Sequence, residues 1–72
     1  MELLLFRTDI KSKKKVKHLQ PLLNEQAGVL DWSIDLEDID NVLRIEATAQ
    51  DIAEDIIGLV EKQGFYIKSL VD

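Results

Sequence analysis

Five lysines, Lys11, Lys13, Lys14, Lys15 and Lys17, are packed into seven positions of this chain, with Arg7 and His18 on either side and Asp9 as the one acid among them. The apolar residues that follow, Val16, Leu19, Leu22 and Leu23, recur at steps of three and four, so the lysines sit at the start of a helix, with Ser12 as its N-cap. That end of a helix is electropositive. Each lysine placed there costs roughly 0.3–1 kcal/mol before mutual repulsion is added. A helix start with free amide groups and the ammonium groups of Lys13, Lys14 and Lys15 suits a phosphate, a carboxylate or an acidic patch on a protein partner. A solvated lysine run that tolerates the cost is the alternative. An acidic protein fits better than nucleic acid, because no stacking aromatics lie nearby.

The other chemistry-bearing residues lead to milder readings. His18 follows Lys17, which disfavours a bound cation, and reads as a helix-surface residue. Asp35, Glu37, Asp38, Asp40 and Asn41 lack the central glycine and terminal glutamate of a calcium loop and read as a solvated acidic turn. Trp32 belongs to an alternating apolar set and reads as core. Ser12 and Ser33 have no second histidine and no nucleophile motif around them, and no glycine-rich phosphate loop with an arginine is found. The reading is therefore non-catalytic, with no cofactor and no metal site.

The chain has 72 residues, 46% hydrophobic and 32% charged, with no cysteine. That is one domain, 1–72, since a second would have no core of its own. The missing cysteines remove disulfides, thiolate metal sites and thiol nucleophiles together. The net charge of −5 opposes general affinity for nucleic acid or anionic membrane, but residues 19–72 hold twelve acids and three bases, so the acidity lies away from the lysine segment. The apolar run Leu3–Phe6 is too short for a signal peptide or a membrane span, which points to a cytoplasmic protein without membrane insertion.

The elements that must position these residues follow from periodicity. Residues 2–10 form a first strand with Leu4, Phe6, Thr8 and Ile10 on one side. Helix 1 follows Ser12 and ends before Gly28 as its C′ residue, with a kink or widening near Lys17–Pro21 because proline removes a hydrogen bond there. From Val29, Leu30, Trp32, Ile34 and Leu36 alternate with Asp31, Ser33 and Asp35 as strand 2, with one dry face and one wet one. Residues 37–41 turn, and strand 3, Val42–Ala47, places Leu43, Ile45 and Ala47 inward. Thr48 and Asp51 have the spacing of a capping box for helix 2, which carries Ile52, Ile56, Leu59 and Val60 and ends at Gln63 with Gly64 at C′. Gly58 interrupts that helix and suggests close approach of a neighbour. Phe65–Val71 is the last strand.

The order βαββαβ predicts an α+β, ferredoxin-like sandwich, with both helices on one face of a four-stranded antiparallel sheet. Leu3, Leu5, Val42, Tyr66 and Leu70 then fall on the other face. Together they form an apolar patch rimmed by Arg44, Glu46 and Lys68, of the kind that binds a partner or a second copy.

The segment from Ile10 to Asn24, Ile-Lys-Ser-Lys-Lys-Lys-Val-Lys-His-Leu-Gln-Pro-Leu-Leu-Asn, resembles the heavy-metal-associated domains of copper chaperones and metal-transporting ATPases, which carry an apolar residue, a spacer and then Cys-x-x-Cys. The likeness continues through Gly28-Val29, Ser33–Leu36, Val42–Glu46 and Gly64-Phe65, where the family often has Gly-Tyr. It spans nearly the whole chain. At the family's two cysteine positions stand Ser12 and Lys15. A hydroxyl and an ammonium do not grip a soft ion, so the resemblance implies the fold and partner docking without thiolate chemistry. The expected function is a protein-interaction or anion-contacting module with an unknown protein partner or a homodimer. The alternative is a metal-handling module that uses non-thiol or partner-supplied ligands.

Overall fold

The computed structural model describes residues 1–70. Strand β1 (Glu2–Thr8) is followed by helix α1 (Lys13–Glu25), strands β2 (Val29–Ile34) and β3 (Leu43–Ala47), a 3-10 turn (Gln50–Ile52), helix α2 (Ala53–Lys62) and strand β4 (Ile67–Ser69). The fold is α+β, with two helices and a four-stranded open sheet in the order β2-β3-β1-β4, in which each neighbouring pair is antiparallel.

Alternation on the two central strands builds the core. Leu4 and Phe6 on β1 and Leu43, Ile45 and Ala47 on β3 are buried, together with Leu19 and Leu23 of α1, Ile56 and Val60 of α2, and Ile67 of β4. Full burial of each leucine or isoleucine contributes about 1.5–3 kcal/mol. Thr8 and Ile10 are buried as well, but the strand ends at Thr8. Beyond that point side chains supplement the main-chain bond from the Asp9 amide to the Tyr66 carbonyl. The Thr8 hydroxyl accepts from the Ile10 amide at 3.2 Å, and the Asp9 carboxylate accepts from the Tyr66 amide at 2.9 Å.

Strand β2 departs from simple alternation. Val29 pairs with Ala47 and Asp31 with Glu46, so Leu30 is the extra residue of a β-bulge. The bulge puts Val29 against the core and leaves Leu30 59% exposed, contrary to its place in the sequence pattern. Trp32 and Ile34 keep their inward places, packed against the core. The strand stops at Ile34, before Leu36, because the Asp35 carboxylate accepts from the Glu37 amide and starts the turn.

The helix ends also differ in part from the pattern. Ser12 caps α1 as expected, and α1 runs unbroken through Pro21. Its C-cap is Gln26, so Gly28 lies one residue beyond C′. Gly28 is still required: its φ is +89°, and a β-carbon there would meet Ile52 Cγ2 at 2.9 Å. The Thr48–Asp51 capping box does not form. The Thr48 amide donates to the Gly28 carbonyl at 2.9 Å, continuing the sheet, and a 3-10 turn leads into α2 with no side-chain cap. Helix α1, not α2, is thus the one with a side-chain N-cap.

At the far end of α2, Phe65 donates to the Val60 carbonyl and Gly64 to that of Glu61, the paired bonds of a Schellman motif, with Gly64 at φ +89° in the expected C′ place. A β-carbon on Gly58 would meet nothing within 4 Å, so that glycine marks no close approach. Strand β4 is three residues long and begins at Ile67, because the Tyr66 amide is engaged by the Asp9 carboxylate. Val71, assigned to that strand from the sequence, lies outside the described residues.

Candidate functional site

Ser12 has extended backbone angles (φ −138°, ψ 153°), and its hydroxyl accepts from the Lys15 amide at 3.3 Å, while its carbonyl accepts from Val16. This fixes where the helix begins and commits the serine oxygen to capping. The remaining amides of the first turn have no acceptor within the helix. The turn contains no acid. Lys13, Lys14 and Lys15 are exposed, and among the described residues neither they nor Lys11 and Lys17 form an ion pair.

Two contacts tie this end of α1 to the turn after α2. The Lys15 ammonium lies 5.9 Å from the centre of the Phe65 ring, within cation–π range, and His18 Nε2 shares a 2.9 Å hydrogen bond with Gln63 Oε1. The structure therefore brings Ser12, Lys13, Lys14 and Lys15 together on one turn, with Lys15 against an aromatic face and Lys13 and Lys14 free in solvent. Nothing in the order of residues pointed to Phe65 or Gln63 as neighbours of the lysines, because both contacts join segments more than forty residues apart.

Two acids of the turn accept from its own backbone, and a third reaches β1. Asp35 accepts from Glu37, Asp38 accepts from Asp40, and Asp40 pairs with Arg7 Nε at 3.2 Å. Asn41 has φ +44°, in the left-handed region, is buried, and donates to the carbonyls of Leu36 and Asp38. Its own carbonyl accepts a 2.6 Å bond from the Thr8 hydroxyl. Among the described residues, no three His, Cys, Asp or Glu side chains are grouped as metal ligands. Trp32 packs against the core, with its indole N–H donated to Asn24 Oδ1 at 2.8 Å.

On the sheet face away from the core, the register sets Leu3 opposite Glu46, Leu5 opposite Arg44, and Arg7 opposite Lys68. Leu70 donates its amide to the Leu5 carbonyl and so stands beside it. Leu3, Leu5 and Leu70 are neighbours, Val42 lies two residues along the chain from Arg44, and Arg7 and Lys68 separate the leucines from Tyr66. Arg44 and Glu46 sit within this surface, beside the leucines. Leu3 is 50%, Tyr66 49% and Leu70 39% exposed, while Leu5 and Val42 are half-buried.

Among the described residues, no helix is long and apolar enough to cross a membrane. No family model matches the chain, and no curated protein or solved structure matches it either.

Proposed function

We propose that this chain is a non-catalytic, ferredoxin-like βαββαβ module of the cytoplasm that binds acidic protein surfaces or small anions at the start of α1. In this reading both helices cover one face of the sheet. The support is that the inward residues of β1 and β3 share one core with those of α1 and α2. The frame resembles heavy-metal-associated domains, with Ser12 and Lys15 in place of the two cysteines. Lys15 brings positive charge to the position where a soft cation would sit, which favours an anionic ligand there instead.

One observation carries the proposal: the first turn of α1 holds Lys13, Lys14 and Lys15 with no acid in the turn and no ion pair to any of them among the described residues. An uncompensated positive helix start costs stability. An anionic partner removes that cost when it docks, so the affinity comes from charge already gathered in place.

Calorimetric titration of a glutamate-rich peptide into the chain and into the K13E/K14E/K15E variant tests this. The wild type binds with a sub-millimolar Kd that weakens with added salt, and the variant gives no heat. Equal heats from both chains contradict the proposal. So does saturable binding of copper or zinc that perturbs Ser12, Lys15 and His18, which would favour the metal-handling reading.

A further inference from the structure

The open sheet face carries its charges in rows. Strand alternation turns Leu3 and Leu5 of β1 and Arg44 and Glu46 of β3 away from the buried side. One row across the sheet reads Asp31, Glu46, Leu3, and the next reads Ser33, Arg44, Leu5, Leu70. Asp31 and Glu46 are therefore like charges placed opposite each other on adjacent strands, an unfavourable arrangement. Among the described residues neither forms an ion pair, and neither does Arg44. These rows border a concavity of about 350 Å³.

We propose that this face binds a second copy of the chain, through a two-fold axis that crosses the strands between those two rows. The operation lays each row over its neighbour in the partner. Leu3 of one protomer meets Leu5 of the other, and Glu46 of one meets Arg44 of the other, twice over by symmetry. The Asp31–Glu46 repulsion is relieved by the arriving guanidinium, and the exposed leucines are buried. The opposite choice, a two-fold axis along the strands, would lay the acidic row on its own copy, so the charge pattern selects one orientation. This contact is independent of the lysine turn and leaves it free for an acidic ligand.

Sedimentation equilibrium of the full chain from micromolar to millimolar concentration tests the proposal. The expected result is a mass rising toward two chains. R44E and E46R should each weaken association at least about tenfold, and R44E/E46R should recover most of the loss. The single variants move the net charge of −5 in opposite directions, to −7 and −3, so a general charge effect would weaken one and strengthen the other. If either reversal unfolds the chain, R44Q and E46Q take its place, with the same direction of effect. A single-chain mass at every concentration overturns the proposal and leaves the face to a different partner. Association indifferent to these substitutions overturns it too, as does a double variant no better than the singles.

Discussion

A β-carbon at Gly28 would stand 2.9 Å from Cγ2 of Ile52 and 3.2 Å from its Cδ1. The entry into β2 and the 3-10 turn before α2 therefore touch through a position that has room for hydrogen alone. The three glycines consequently form a graded series. Gly28→Ala adds a clash to the strain of φ +89° and should lose about 2–4 kcal/mol. Gly64→Ala has the same φ but open space around it and should lose about 1–2 kcal/mol. Gly58→Ala meets nothing and should gain up to about 1 kcal/mol from helix propensity. Urea unfolding of the three variants checks the order. Adding Ile52→Ala to Gly28→Ala should cost less than the sum of the two single changes, because the clash is shared.

Thr8 and Asn41 join β1 to the turn before β3 through a buried 2.6 Å bond. Thr8→Val leaves the Asn41 carbonyl without its donor and the Ile10 amide without its acceptor, and should lose about 2 kcal/mol. Asn41→Ala should lose more than Asn41→Gly, because glycine tolerates φ +44° while both lose the side-chain bonds. Thermal melts of the three variants measure this.

These cases mark what was legible in the sequence. Period-two and period-three-to-four spacing located both helices and all four strands, and Ser12 and Gly64 were readable as caps because serine and glycine have distinct local roles at helix ends. Local patterns failed where partners distant in the chain decide the outcome. Leu30 fits the alternation, but a bulge set by its pairing with β3 exposes it. Thr48 has cap spacing, but its amide is claimed by Gly28. Gly58 implied a close neighbour that is not there. At the candidate site, the lysine turn was legible as a charge run on a capped helix. Its contacts with Phe65 and Gln63 were not, nor was the interleaving of Arg44 and Glu46 with the leucines, which depends on register.

The bulge at Leu30 gives a stability test of its own. Leu30→Thr removes an exposed side chain and should change stability by less than about 0.5 kcal/mol. Ile45→Ala, on the neighbouring strand, empties a fully buried site and should lose about 2–5 kcal/mol. Similar losses for the two would mean that Leu30 faces the core.

Ser12→Asp separates stability from binding. A carboxylate at the N-cap still accepts the Lys15 amide and opposes the lysines and the helix dipole, so the fold should gain about 0.5–1 kcal/mol. The same charge repels an anionic ligand, and affinity for a glutamate-rich peptide should fall several-fold. Parallel urea titration and calorimetry report the two changes, whose opposite signs are the expected signature.

The most direct test of the proposed function is an amide-resolved NMR titration with the glutamate-rich peptide and, separately, with inorganic phosphate. The account predicts saturable shifts centred on Lys13, Lys14 and Lys15, extending to Phe65 through its contact with Lys15, with the sheet residues Leu3 and Leu5 unmoved. No movement of the lysine-turn amides at millimolar ligand, or shifts confined to other parts of the chain, would contradict it.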